Sequence, residues 1–168
     1  MNLYYFDESS FSLSPNIPYG WSPKNETIEL EASHSKSLKV LGFLGLDNQL
    51  RGYTTTGTID SIFLIEIFDD FVKQLPKDSK TIVILDNAPT HTSHLFQDNI
   101  KEWEEKGLIL YFLPTYSPQL NRIEILWRFM KYQWIQIKDY ASTQTLKDYI
   151  HLVLANYGNG NQFEINFR

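Results

Sequence analysis

The sequence predicts an α/β fold: a mixed sheet, an antiparallel meander followed by parallel strands, with helices on both faces. Three observations predict it. The first third alternates short apolar segments with turn residues, the pattern of strands joined by hairpins. The remainder alternates helix-length amphipathic stretches with two continuous apolar runs, Thr81–Leu85 and Leu108–Leu113, as strands covered on both faces require. At 168 residues, 42% hydrophobic and 21% charged, the chain has the size and composition of one folded domain, residues 1–168.

Leu3–Phe6 is an apolar, aromatic-rich strand candidate. Ser9–Lys24 is broken by Ser, Pro and Gly, with short extended pieces around Phe11–Leu13 and Tyr19–Trp21. Thr27–Ala32 sets Ile28, Leu30 and Ala32 against Glu29 and Glu31, the period of a half-buried strand. Val40–Leu46 and Leu50–Thr56 flank a turn at Asp47-Asn48 and form a hairpin. Asp60–Leu75 reads as a helix capped by Asp60 and closed by Pro76. Thr92–Lys106 is a second helix, stopped by Gly107. After the loop Pro114–Gln119, the pattern predicts a long helix over Asn121–Ile137 and a last one over Thr145–Asn156. The tail ends in an alternating segment, Phe163-Ile165-Phe167.

Composition excludes several chemistries. Without cysteine there are no disulfides, thiolate zinc sites or cysteine nucleophiles, and a reducing compartment is compatible. The N-terminus MNLYYFDESS lacks the basic start and apolar core of a signal peptide, and no apolar run approaches the ~18 residues of a membrane span. The expectation is a cytoplasmic protein with no membrane partner. Aromatic residues make up 15%, which fits either a ring-rich core or exposed rings that touch a partner. No Gly-rich phosphate loop is present, so nucleotide-triphosphate hydrolysis is unsupported.

Three acids stand out. Asp86 directly follows the apolar run Thr81–Leu85, and active sites of α/β sheets gather at the carboxyl ends of strands. A turn or helix cap would use the same residue. Glu124 shares a helical stripe with Asn121, Arg128 and Lys131, opposite the apolar face of Ile123, Leu126, Trp127, Met130 and Trp134. An ordinary Glu124–Arg128 salt bridge is the competing use. Asp7 ends Leu3–Phe6. Strand alternation lets only one of Asp7 and Glu8 face a given site, and Asp7 is preferred, with Glu8 as the substitute. If Thr81–Leu85 pairs in parallel with Leu3–Phe6, Asp7 and Asp86 become neighbours. Clustered carboxylates repel at neutral pH, and hard divalent cations relieve that repulsion.

Longer motifs surround these acids. Asp86-Asn87-Ala88-Pro89-Thr90-His91 and the run Leu113-Pro114-Thr115-Tyr116-Ser117-Pro118-Gln119-Leu120-Asn121-Arg122-Ile123-Glu124-Ile125-Leu126-Trp127 resemble the second and third catalytic blocks of the mariner-like DDE transposases, most closely the bacterial insertion-sequence branch. Tyr5-Phe6-Asp7-Glu8-Ser9 resembles the first block, and Gly20-Trp21-Ser22-Pro23-Lys24 also resembles that branch. The resemblance implies a ribonuclease-H-like fold whose triad falls on Asp7, Asp86 and Glu124, as catalytic residues and ligands of Mg²⁺ or Mn²⁺, two ions in number. The second and third acids lie 124 − 86 = 38 positions apart, slightly more than is usual in the superfamily.

The implied activity is cleavage of phosphodiester bonds at transposon ends, leaving a 3′-hydroxyl that attacks target DNA in the same site. The implied partners are DNA, as terminal inverted repeats and target, and a second copy of the chain in a homodimer on DNA. Full-length relatives carry a helix-turn-helix DNA-binding region before this domain, and six residues precede Asp7, so that region is expected to be absent. A net charge of −5 is low for a DNA-binding surface and places the main DNA anchor on another domain or subunit. The competing readings are an inactive or repurposed DNA-binding or dimerisation fragment, another nuclease of the same fold, and a carboxylate-pair glycosidase.

Around the triad, Asn87, His91 and Asn121 are near-site candidates. His91 can orient water or phosphate, or bond to backbone at a helix start. Arg122, Arg128, Lys131 and Lys138 make the stretch near the triad basic, while Lys24, His34, Lys36 and Lys39 form a looser group. Arg122, Arg128, Lys131, Lys24 and Lys36 are therefore DNA-contact candidates, with Trp21 as a ring that can stack on a base or anchor its loop.

Overall fold

The aromatic run Leu3–Phe6 opens a longer strand than it suggests: β1 spans Asn2–Phe11. This is seen in a computed structural model that describes residues 1–12, 23–24, 37–115, 117–158, 160, 163–165 and 167. The predicted strand Thr27–Ala32, the extended piece at Tyr19–Trp21, and the candidates Trp21, His34 and Lys36 lie outside those residues. Beyond Phe6 the strand continues because β2 (Leu38–Gly45) pairs antiparallel along it as far as Phe11↔Leu38. The hairpin partner β3 (Leu50–Thr55) returns after a turn in which Asn48 takes φ 68°, a conformation Asn tolerates better than most residues.

Helix α1 (Ser61–Lys73) starts where the Asp60 side chain accepts from the Phe63 amide. Strand β4 (Thr81–Leu85) then pairs in parallel with β1, meeting the condition under which Asp7 and Asp86 become neighbours. Helix α2 (His94–Glu105), capped by Ser93, leads through Gly107 at φ 93° into β5 (Leu108–Phe112). The sheet order is β3-β2-β1-β4-β5, antiparallel on one side of β1 and parallel on the other.

The predicted helix over Asn121–Ile137 is instead broken into pieces. A 3-10 turn, Pro118–Leu120, precedes α3 (Ile123–Phe129), which runs into a π-helical turn at Met130–Trp134. Ile135 is extended, and a second 3-10 turn, Ile137–Ala141, follows. The break is built in: the Ile135 amide reaches back five residues to the Met130 carbonyl. Buried Asp139 then accepts from the Gln136 amide and starts the next turn. Helix α4 spans Thr143–Asn156.

Each face of the sheet has its own core. One joins Tyr4, Phe6, Leu41, Phe43 and Val83 to α1 and α2 through the rings of Phe68, Phe71, Phe96 and Trp103. The Phe43 and Phe71 rings stack at 3.9 Å, and Trp103 Nε1 donates to Asp69 Oδ1 at 2.8 Å. The other joins Val40 and Leu44 to α3, α4 and the tail residues Phe163 and Ile165. Much of the aromatic content therefore serves packing, with Tyr111 and Tyr132 left exposed. Among the described residues, no helix is long and apolar enough to cross a membrane.

Gly42 sets how closely α3 approaches the sheet. It pairs with Asp7, and a Cβ there would stand 3.0 Å from Ile123 Cδ1 and 3.1 Å from the Trp127 ring. The helix rests on bare backbone at this point. Gly42→Ala is expected to destabilise the fold by roughly 1–3 kcal/mol through overpacking, read as a lower denaturant midpoint at unchanged m-value. A variant as stable as the wild type would show that α3 yields freely here.

Candidate active site

Asp7 and Asp86 are brought level by the register between β1 and β4. The parallel pairing runs from Asn2↔Thr81 to Tyr5↔Ile84, and continuing it by two residues sets Asp7 beside Asp86. Asp7 does not end its strand, as the sequence suggested, because β1 continues along β2. What ends there is the parallel neighbour: β4 stops at Leu85, so the parallel ladder on β1 ends at Tyr5. Asp7, Asp86 and Glu124 all line one cavity of about 370 Å³, together with Asn87, Asn121 and the loop after β5.

Asp86 is half-exposed and rigidly held. Its Oδ1 accepts from the Ala88 amide at 3.1 Å and from His91 Nδ1 at 2.8 Å. The His91 hydrogen bond in particular keeps this carboxyl below the usual range, against the opposing effect of burial. His91 itself has no exposed surface, so it reaches neither bulk water nor phosphate directly. Its Nε2 faces Glu8 Oε2 at 3.5 Å, too long for a strong hydrogen bond but within ion-pair range. Burial lowers the His91 pKa. The hydrogen bonds and charges of Asp86 and Glu8 outweigh burial and raise it to about 9.

Glu8 is thus on the other side of the strand from Asp7, as alternation requires, and it braces His91. It is not among the residues lining the cavity.

Asp7 accepts from Trp127 Nε1 at 3.1 Å on Oδ2. Burial, then the charges of Glu124, Glu8 and Asp86, push its pKa up to about 8, against the opposing backbone hydrogen bond at Glu8. Glu124 sits in the first turn of α3, where the helix dipole favours an acid. No Glu124–Arg128 ion pair forms; among the described residues, ion pairs join His91 to Glu8 and Asp86, and Lys106 to Glu102. Asn121 is 3% exposed, off the solvated stripe predicted for it, and donates through Nδ2 to the Phe6 carbonyl at 2.9 Å. Asn87 donates to the Leu113 carbonyl, tying the loop after β4 to the end of β5.

The basic candidates part company. Lys131 is half-buried over the Phe11 ring, 5.4 Å from its centroid. Burial lowers its pKa, while the charges of Glu124 and Asp7 oppose that shift. Arg122 lies 3.7 Å over the Phe167 ring. Arg128 and Lys24 are exposed. The Asp7–Trp127 bond was missed in the sequence, where Trp127 reads as core because it is also buried.

The donors around the cavity are oxygens, three of them carboxylates, and Asp7 is raised first by burial and then by the like charges of Glu124, Glu8 and Asp86. That is the chemistry a hard divalent cation fits. Among the described residues, however, no three His, Cys, Asp or Glu side chains are close enough to form a ready-made metal group. A cation here would rely on fewer carboxylates at once, completed by other oxygens, as Mg²⁺ commonly is.

Residues 2–147 match the family described as DDE superfamily endonuclease, and the chain belongs to that family. No curated protein matches it in sequence. Among solved structures it is similar to the Mos1 transposase paired-end complex with left transposon end, with TM-score 0.64 and 15% identity over 91% of this chain and 47% of that one. The Mos1 mariner paired end complex with Mn gives TM-score 0.63 and 15% identity over 91% and 48%. The catalytic domain of Mos1 mariner transposase gives 0.58 and 15% over 91% and 69%. The chain spans about half the length of the Mos1 chains in those two complexes. The likeness lies in the fold, the ribonuclease-H-like mixed sheet expected from the sequence.

Proposed function

We propose that this chain is the catalytic domain of a mariner-like transposase of the bacterial insertion-sequence branch. In this reading it cleaves phosphodiester bonds at transposon ends and transfers the resulting 3′-hydroxyl into target DNA. Asp7, Asp86 and Glu124 are its catalytic residues and would hold two Mg²⁺ or Mn²⁺ ions. The observation that carries the reading is the meeting of these three acids on one cavity, in a chain of the DDE endonuclease family. The partners are terminal inverted repeats, target DNA and a second copy of the chain, in the cytoplasm at the nucleoid.

Cations bound there supply activation of the attacking oxygen and stabilisation of the leaving one in an in-line displacement. The chain's own residues position and poise. Asp86 is kept ionised and fixed through Oδ1 by His91 and the Ala88 amide. Asp7 is steadied by Trp127 and has to give up the proton that its raised pKa retains. Asn121 clamps the start of α3 to β1 through the Phe6 carbonyl, which fixes Glu124 relative to Asp7. Little covalent chemistry falls to the protein, so the rate depends on this positioning.

The test is incubation with duplex DNA carrying the element ends, with Mn²⁺ or Mg²⁺, fused to a DNA-binding region if affinity is too low. End-specific cleavage and joined products are expected, both abolished by chelator. Activity that survives chelation would remove the cation from the reading. Preferential cutting of an RNA–DNA hybrid or a four-way junction would assign the site to a different nuclease.

A further inference from the structure

Asn121 carries an atom that its surroundings leave unused. A carbonyl oxygen can only accept, so the Asn121 group facing the Phe6 carbonyl must be the amide nitrogen. That bond fixes the side chain's orientation and leaves Oδ1 as the remaining polar atom. Oδ1 is buried and has no hydrogen-bond partner among the described residues. A buried acceptor without a donor is expensive to maintain. Asn121 also lines the cavity that holds Asp7, Asp86 and Glu124, and its backbone carbonyl accepts from the Glu124 amide at 3.1 Å. The three acids, for their part, do not form a ready-made group.

We propose that Asn121 Oδ1 is a further oxygen donor of the cation site, engaging the cation directly or through its water. The inference rests on the cation reading above and adds a fourth donor to it. A neutral oxygen completes the coordination without adding negative charge to a cavity already lined by three carboxylates.

The test separates the two ends of the amide. Asn121→Ala and Asn121→Asp both lose the bond to Phe6, but Asp keeps an oxygen at the cavity. Mn²⁺ binding is measured by calorimetry on the full chain without DNA, alongside melting curves with and without Mn²⁺. Asn121→Ala is expected to weaken Mn²⁺ by roughly 10–100-fold, the size of effect seen when supporting groups around metals are removed. Asn121→Asp is expected to bind within a few-fold of wild type or tighter, although its metal-free melting temperature falls. Val153→Ala, in the apolar cluster that packs α4 with α3 but off the cavity, should lose stability and keep Mn²⁺ affinity. If Asn121→Ala binds Mn²⁺ as wild type does, or if Ala, Asp and the Val153 variant all weaken it alike, Asn121 is structural and the inference fails. A wild-type chain that binds no Mn²⁺ overturns the cation reading as well. Should Asn121→Ala fail to fold, Asn121→Asp decides alone: weakening of Mn²⁺ by 10-fold or more overturns the proposal.

Discussion

Asp86→Asn is expected to lower Mn²⁺-supported DNA cleavage by at least about 10³-fold while leaving the fold intact. The two halves of this expectation have separate causes. The fold survives because Asn keeps an oxygen where Asp86 Oδ1 accepts from Ala88 and His91, and because the side chain is half-exposed. The activity is lost because the amide removes a negative charge from the cavity. A lost factor of 10³ corresponds to about 4 kcal/mol of transition-state stabilisation, within the several kcal/mol that a properly held metal ion supplies. Glu124→Gln should behave alike, since Glu124 makes no ion pair with Arg128 that the substitution would break. Single-turnover cleavage of end DNA, with circular dichroism to verify folding, measures both. Cleavage that persists undiminished in either variant would remove that residue from the catalytic set.

Much of this arrangement can be read from the sequence, for identifiable reasons. Thr81–Leu85 is legible to the residue because a strand covered on both faces needs an unbroken apolar run, and Asp86 is conspicuous as the charge that ends it. The end of β1 is not legible, because Asp7-Glu8-Ser9-Ser10 looks like a loop in isolation. Only the antiparallel partner β2 keeps that segment extended. The break in the Asn121–Ile137 helix is hidden for the opposite reason: its residues all suit a helix, and tertiary packing together with the Asp139 cap overrides them. The same limit applies to His91 and Trp127. Trp127 reads as core by position and His91 as a near-site or helix-start residue; the Trp127 bond to Asp7 appears only once α3 is packed on β1, and the His91 bond to Asp86 depends on how the loop after β4 turns.

The acid on β1 should reveal itself through stability as well as activity. Burial, followed by the charges of Glu124, Glu8 and Asp86, pushes the folded-state pKa of Asp7 up from the ordinary 3.8 to about 8. With its pKa raised, the folded state retains a proton that the unfolded chain has released. Stability from this group is therefore fully present below pH 4 and is lost as pH rises through 8. His91, raised from 6.5 to about 9, tilts the same way: its contribution is present below 6.5 and fades through 9. The metal-free protein should thus weaken steadily from mildly acidic to alkaline pH. Asp7→Asn removes the larger part of that slope. At pH 8 without metal it is expected to be more stable than wild type by on the order of 2–4 kcal/mol, seen as a rise in melting temperature of roughly 5–10 °C. At pH 5 the gain should shrink to about 1–2 kcal/mol. Added Mn²⁺ should stabilise the wild type and not the variant, narrowing or reversing their order, because a cation at the site takes over the role of the proton. The variant should also be inactive. A residue whose removal stabilises the fold while abolishing activity is retained for function rather than for folding. Equal melting temperatures for the two proteins across pH 5–8 would instead place Asp7 in ordinary contact with water and deny it this role.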